Sequence, residues 1–218
     1  FMLKEIHEQP KVIKDTINSV LTDGNISFES VGLSDEDMKN IQQVYIVACG
    51  SAYHVGMVAQ YVIEELTSLS VRVELASEFR YRQMKLAKNS LAIIISQSGE
   101  TADSLAALRL CKEKGVKTLG IVNVVGSSIA READNVFYTL AGPEISVATT
   151  KAYSCQLVAA YLLAMQFAKA REEISDERFA QLVEEINTIP EKIEKILEDK
   201  ERLQWFASKV VNIKDAFF

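Results

Sequence analysis

The sequence predicts an α/β protein with a doubly wound, five-stranded parallel sheet flanked by helices, and with helical extensions at its N- and C-terminal ends. Three observations support this fold class. Short β-rich runs alternate with helical stretches along most of the chain. Three of the runs are almost continuously apolar, as in central parallel strands that are covered on both faces. The segments before and after the alternating region have apolar residues at helical spacing.

Five strands are predicted from the short β-rich runs. The first, third and fourth are expected at the centre of the sheet, because few polar side chains interrupt them. The second alternates Val71, Val73 and Leu75 with Arg72 and Glu74, which indicates an edge strand with one face in water. The predicted strands span residues 44–48, 71–75, 91–95, 118–122 and 136–140.

Helices are predicted between the strands and on both sides of the sheet. Gly115 is a C-cap signal for the helix after the third strand. The helix after the fifth strand is apolar on nearly every side, which indicates burial. Pro190 is expected to kink or restart the last helical segment. The predicted helices span residues 10–21, 52–66, 102–114, 150–171 and 175–209.

The last residues, 210–218, predict the start of another strand. A strand that ends on apolar residues without neighbours leaves an open edge, so we expect the natural protein to continue into another domain.

Composition restricts the classes of function. The chain has 218 residues and a formal net charge of −6, whereas a general nucleic-acid binder needs a basic surface. The longest apolar run, 157–165, is too short to cross a bilayer, and charged residues replace the apolar part of a secretory signal. Cys49, Cys111 and Cys155 are widely spaced, which favours reduced thiols over a disulfide framework or a metal site. We therefore expect a cytoplasmic protein with no metal and with neither a membrane nor a nucleic acid as partner.

The clearest candidate for a binding loop follows the third strand, at the edge of the sheet where ligands bind in open parallel sheets. This loop carries Ser96, Gln97, Ser98, Gly99 and Thr101 between a buried strand and a helix. Gly99 permits a turn with positive φ, and the free N–H groups at the start of a helix favour an anion. Hydroxyl and N–H donors therefore predict a phosphate site without Lys or Arg. The alternative is that Thr101 caps the helix and the serines form turns.

Two other loops carry weaker signals. Gly50 permits close approach of a ligand after the first strand, and Ser51 either caps the following helix or contacts a ligand. Glu144 and Lys151 flank a run of small residues after the fifth strand, as in a loop that closes over a ligand; a surface acid and a helix-start lysine are the simpler alternative. No glycine follows Gly50 closely enough for a dinucleotide fingerprint. A flavodoxin-like flavin domain is another alternative, but its phosphate loop is expected after the first strand.

The segment Ser-Gln-Ser-Gly-Glu-Thr-Ala-Asp at 96–103 resembles the phosphosugar-binding loop of the sugar isomerase (SIS) domain family. Four further segments, with their order and spacing, extend the resemblance over the whole chain, to the glutamine–fructose-6-phosphate amidotransferases within that family. These segments are 2–10, 48–51, 74–81 and 143–152.

The resemblance implies an SIS-type sheet and assigns roles to particular side chains. The residues expected to hold a 6-phosphate are Ser96, Gln97, Ser98 and Thr101. The residues expected to line the sugar are Ser51, Val147 and Thr149. The further candidate loop contacts are Gly50, Glu144 and Lys151. The chain departs from the family in two places. Ala52 stands where the family has a phosphate-contacting serine. The family also tends to have Gly and Ser where Ser146 and Thr149 stand.

The family enzyme converts fructose 6-phosphate and glutamine into glucosamine 6-phosphate and glutamate without a metal or dissociable cofactor. The resemblance implies a linker and N-terminal helix (1–40), a first SIS subdomain (41–173), a helical connector (174–209) and the start of a second SIS subdomain (210–218). It places the glutaminase and the catalytic residues of the isomerase in polypeptide outside this chain.

The chain is accordingly expected to bind a hexose 6-phosphate, fructose 6-phosphate or glucosamine 6-phosphate, and to be inactive alone. The alternative within the family is a non-catalytic sensor of sugar phosphates. The amphipathic segment 175–209 also makes a homodimer an expectation.

Overall fold

A computed structural model describes residues 1–215 of the chain. The strands in chain order are β1 (Leu21–Thr22), β2 (Asn25–Ile26), β3 (Gln43–Ala48), β4 (Ser70–Leu75), β5 (Ser90–Ser96), β6 (Lys117–Val122) and β7 (Asn135–Tyr138). The helices are α1 (Met2–Asn18), α2 (Asp35–Asn40), α3 (Ser51–Leu66), α4 (Ala76–Phe79), α5 (Ala102–Glu113), α6 (Ser128–Glu132), α7 (Lys151–Ala170), α8 (Asp176–Asn187), α9 (Ile189–Glu198) and α10 (Lys200–Val210).

The central sheet has five parallel strands in the order β4-β3-β5-β6-β7, which confirms the predicted fold class. The apolar runs form the three inner strands, and every residue of β5 is buried. β4 is an edge strand, with Val71 buried while Ser70 and Arg72 are exposed. From β3 the chain adds β4 on one side of it, and from β4 it crosses back to add β5 on the other side of β3. The crevice beyond the ends of β3 and β5, at Ala48 and Ser96, is therefore the topological switch point.

Helices cover both faces of the sheet, because successive residues of each strand point to opposite sides. Ile46 and Ile93 belong to a hydrophobic cluster with α1, α3 and α7, whereas Val47 and Ile94 belong to a second cluster with α5. Fifteen of the 20 residues of α7 are buried, which confirms that this helix is apolar on nearly all sides because it is enclosed.

The N-terminal helix differs from its prediction at both ends. α1 starts at Met2, and buried Pro10 lies inside it rather than at its start. The helix ends at Asn18 because the chain then forms the β1–β2 hairpin, whose turn has Asp23 and Gly24 at φ of 50° and 77°. An Asp-Gly pair between apolar residues is a hairpin signal, which the helical pattern had obscured.

The C-terminal region confirms the restart at Pro190, which occupies the first turn of α9. A second break at Asp199 separates α9 from α10 and was not predicted. The strand expected from Val210 is wrong for residues 210–215: Val210 ends α10 and a turn follows. A strand needs neighbours for its backbone groups, and the sheet does not reach this segment. Residues 216–218 of that prediction lie outside the described residues, and its assignment to a second SIS subdomain stays a prediction.

α9 and α10 carry four exposed large apolar side chains. Ile196, Leu203, Trp205 and Phe206 are all more than half exposed. The homodimer expected from this segment remains a prediction.

The three cysteines are free thiols. Burial raises the pKa of Cys111 to about 12 and that of Cys155 to about 11, so both remain protonated at neutral pH. Within residues 1–215, no helix combines the length and the apolar character needed to cross a bilayer.

Candidate functional site

A polar cleft of about 260 Å³ lies beyond the carboxyl ends of β3 and β5. Its walls come from the loops after β3, β5 and β7 and from the adjoining turns of α3 and α7. The lining residues are Cys49, Ser51, Ala52, Ile95, Ser96, Gln97, Ser98, Thr101, Glu144, Ser146, Val147, Thr149 and Gln156. Larger hollows of about 550 and 580 Å³ involve the peripheral helices and contain none of these loops. The cleft at the switch point is therefore the candidate site.

The loop after β5 turns its hydroxyl groups into this cleft. The Ser96 and Thr101 hydroxyl oxygens are 3.0 Å apart, and Ser96 Oγ also accepts a hydrogen bond from the Gly99 N–H at 3.0 Å. Ser98 Oγ accepts from the Glu100 N–H at 3.2 Å, which leaves its own proton free to donate. The serines thus form turns, as one alternative predicted. Thr101 occupies the N-cap position of α5, but its side chain makes no capping hydrogen bond, so its hydroxyl is not taken up by the helix.

The loop after β6 holds this turn from outside the cleft. The Glu100 carboxylate accepts from the Ser128 N–H at 2.7 Å, and the hydrogen bonds from Ser128 lower the pKa of Glu100. The Ile129 N–H donates to the Gly99 carbonyl at 3.0 Å. Gly99 has a φ of +66°, and a Cβ at this position would lie 2.0 Å from Ser127 Oγ. Only glycine fits this contact.

The loop after β7 is closed by Glu144, which caps the start of α7. Its carboxylate accepts from the Thr149 hydroxyl at 2.9 Å, and from the backbone N–H groups of Thr150 at 2.8 Å and Ala152 at 3.3 Å. The negative charge of Glu144 is thereby satisfied by the helix end. Because the Thr149 hydroxyl donates to Glu144, it offers its lone pairs to a ligand.

The structure brings eight of the ten candidate residues together in the cleft lining. The residues it brings together are Ser51, Ser96, Gln97, Ser98, Thr101, Glu144, Val147 and Thr149. Gly50 and Lys151 do not line the cleft. Gly50 is the residue before α3 and has a φ of +58°. Lys151 is 3% exposed, and its Nζ lies 2.8 Å from Glu8 of α1.

Charged groups are scarce in the cleft. No Lys, Arg or His lines it. The one acidic residue in its lining is Glu144, whose carboxylate already accepts hydrogen bonds from Thr149, Thr150 and Ala152. Across residues 1–215, no group of three His, Cys, Asp or Glu side chains is arranged to hold a metal ion. The cleft therefore offers mainly neutral donors, which suits a small anionic ligand with many hydroxyl groups.

A family model for the SIS domain matches residues 37–166, which is more than half of the chain. The chain belongs to the SIS domain family.

Relatives and solved structures agree with the resemblance found in the sequence. Over its whole length, the chain is 53% identical to a glutamine–fructose-6-phosphate aminotransferase (isomerizing) from Clostridium tetani and 48% identical to one from Caldanaerobacter subterraneus subsp. tengcongensis. It spans 36% of the length of each. The C-terminal domain of glucosamine-fructose-6-phosphate aminotransferase from Francisella tularensis superposes with a TM-score of 0.91 at 40% identity, covering 97% of this chain and 59% of that one.

Some lining residues of this SIS domain were given no role from sequence. Ile95 and Gln156 had none, and Ser146 was noted only as a departure from the family. Gln156 had only a weak signal, as one polar residue in an otherwise apolar stretch of α7. Ile95 had none, because an apolar residue at a strand end looks like any other core residue.

The N-terminal helix supports the loop after β7 in this SIS domain. The Glu5 carboxylate is 4% exposed and accepts from the backbone N–H groups of Ile145 at 2.7 Å and Ser146 at 3.3 Å. Hydrogen bonds from Ser146 and Ile145 lower the pKa of Glu5. The ion pair between Lys151 and Glu8 ties the start of α7 to the same helix. α1 therefore positions a loop that lines the cleft.

Replacing Glu5 is expected to weaken ligand binding although Glu5 does not line the cleft. E5A removes both hydrogen bonds to the loop, so hexose 6-phosphate affinity should fall by about three- to tenfold, as measured by titration calorimetry. D15N is the matched control, because Asp15 lies on α1 and makes only an exposed pair with Lys11 at 2.7 Å. Equal affinities for E5A and D15N would show that the loop does not depend on Glu5.

Proposed function

We propose that this chain binds a hexose 6-phosphate in the cleft, as the first SIS subdomain of a glutamine–fructose-6-phosphate aminotransferase (isomerizing). Fructose 6-phosphate and glucosamine 6-phosphate are the proposed ligands. The observation that carries the proposal is the turn after β5, where neutral donors and a helix start face one polar cleft. The identity to the aminotransferases over the whole chain supports it.

The phosphate is assigned to the turn after β5. Gln97, Ser98 and Thr101 supply an amide and two hydroxyl groups, and Ser96 holds the Thr101 hydroxyl in place. Because Thr101 makes no capping bond, the first N–H groups of α5 remain available to an anion. Asp103 in that first turn would repel a phosphate, but Arg80 Nη1 lies 2.6 Å from its carboxylate and offsets its charge.

The sugar is assigned to the opposite wall. Ser51, Ser146 and Thr149 line it with hydroxyl groups. The Val147 side chain is fully exposed, so its proposed contribution is a backbone contact. Ala52 offers no hydroxyl, which should cost about 1.5–3 kcal/mol relative to a serine that bonds the charged phosphate.

Catalysis is assigned to polypeptide outside this chain. The cleft has no Lys or His, and the carboxylate of Glu144 is engaged by α7, so no free base faces the ligand. The proposed reaction, from fructose 6-phosphate and glutamine to glucosamine 6-phosphate and glutamate, therefore needs a glutaminase and a second SIS subdomain. The domain boundaries given above belong to this proposal, as does a cytoplasmic location, which the three free thiols support.

The sensor alternative is not favoured, because the identity to the aminotransferases includes α1 and α8–α10, which lie outside the SIS match.

Titration calorimetry tests the binding half of the proposal. Fructose 6-phosphate and glucosamine 6-phosphate should bind, whereas fructose should give no measurable heat because it lacks the phosphate. Equal binding of fructose would refute a phosphate site. In a separate assay with glutamine or ammonia, the 218-residue chain should form no glucosamine 6-phosphate, and turnover would show that a base is present after all.

A further inference from the structure

Gln156 is a largely buried residue whose side-chain amide opens onto the cleft. It lies in the second turn of α7, lines the cleft and is 3% exposed. Among residues 1–215 no side-chain hydrogen bond involves its amide, whose polar atoms remain accessible from the cleft. Gln166 on the same helix is equally buried, but its Nε2 donates to Asp35 Oδ1 at 2.6 Å. Within the described part of the chain, Gln166 Oε1 is buried without a partner, whereas the polar atoms of Gln156 keep access to the cleft.

The Gln156 amide faces the cleft rather than the core. Polar groups inside folded proteins are almost always hydrogen-bonded, to protein or to water, so this amide takes its partner from the cleft side. The helix around Gln156 is otherwise rich in buried apolar residues. The amide opens onto the cleft, so a ligand can supply the missing partner.

The position of α7 indicates which part of the ligand the Gln156 amide would contact. α7 packs with α1 and α3 over one face of the sheet, whereas the turn at 96–101 leads into α5 on the other face. Gln156 thus lies across the switch-point crevice from the turn that is assigned to the phosphate. An amide has both donors and an acceptor, as a sugar hydroxyl does, so one hydroxyl can satisfy both kinds of atom.

We propose that Gln156 determines specificity for the sugar part of the ligand: its amide hydrogen-bonds a hydroxyl or carbonyl oxygen of the hexose and does not contact the phosphate. This assignment rests on the proposed function of the cleft. It adds a recognition group on α7, beyond the loops that sequence reasoning selected.

The test compares the 218-residue chain with Q156M and Q166M, using fructose 6-phosphate and inorganic phosphate as probes. Methionine keeps the length of the side chain and removes the amide. Q156M should bind fructose 6-phosphate about three- to tenfold more weakly and inorganic phosphate as before, with a Tm no lower than that of the unchanged chain. Q166M makes the same change on α7 at a residue that does not line the cleft, and should leave the ratio of the two affinities unchanged.

The outcomes separate this proposal from the one on which it rests. If the unchanged chain binds neither probe, the phosphate cleft itself is refuted. If it binds both and Q156M keeps the same affinity ratio, Gln156 does not recognise the sugar. If Q156M and a second variant, Q156L, both fail to fold, the amide has a structural role and the proposal is overturned.

Discussion

The double variant S98A/T101A is expected to lose detectable binding of hexose 6-phosphates while it keeps its fold. Both hydroxyl groups line the cleft, and the Ser98 proton is free to donate. A hydrogen bond to a charged group contributes about 1.5–3 kcal/mol, so the loss of two lowers the affinity by roughly a hundredfold or more. Titration calorimetry measures the binding, and far-UV circular dichroism reports the fold.

The matched control removes two hydroxyl groups far from the cleft. In T188A/S208A, Thr188 loses a bond to the Glu185 carbonyl at 2.7 Å, and Ser208 loses one to the Trp205 carbonyl at 2.6 Å. This variant should bind hexose 6-phosphates as the unchanged chain does. Unchanged affinity in S98A/T101A would remove these two residues from the site.

The variant G99A is expected to lower stability and ligand binding together. Its methyl group would meet Ser127 Oγ at 2.0 Å and Ser127 Cβ at 2.6 Å, at a φ of +66°. The left-handed backbone costs about 1 kcal/mol for alanine, and overpacking adds about 1–3 kcal/mol. Urea unfolding should therefore show a loss of roughly 2–4 kcal/mol. The displaced turn should also bind hexose 6-phosphates more weakly.

G126A separates the backbone effect from the steric effect. Gly126 has a φ of +73°, but an alanine Cβ at this position would have no heavy atom within 4 Å, so G126A should lose only about 1 kcal/mol. In the background of G99A, S127G removes both clashing atoms and should restore part of the lost stability. If G99A is no less stable than G126A and binds ligand normally, the turn does not need its glycine.

The long elements of the fold were predictable because burial leaves a strong sequence pattern. Ile93, Ile94 and Ile95 lie in a strand whose residues are all buried, and only a strand covered on both faces has such a run. The short elements were missed for two reasons. α4 has only four residues, too few to show a periodic pattern. Each strand of the β1–β2 hairpin has two residues, and the apolar spacing of the preceding helix obscured its Asp-Gly turn signal.

The candidate site was predictable where loop position alone decides the outcome. Ser51 and Ser98 follow β3 and β5, so the switch-point rule brings them together. The direction of a side chain was not predictable. Lys151 adjoins the cleft loop but points to Glu8, 143 residues away in the chain. Gln156 was missed because one polar residue barely changes the pattern of an apolar helix.

A crystal of the chain soaked with fructose 6-phosphate tests the central claim most directly. The account predicts phosphate density within about 3.2 Å of the Ser98 and Thr101 hydroxyl groups, with the sugar extending toward Gln156. Ligand density elsewhere, for example between the peripheral helices, would contradict it, as would an empty cleft at a saturating concentration of the ligand.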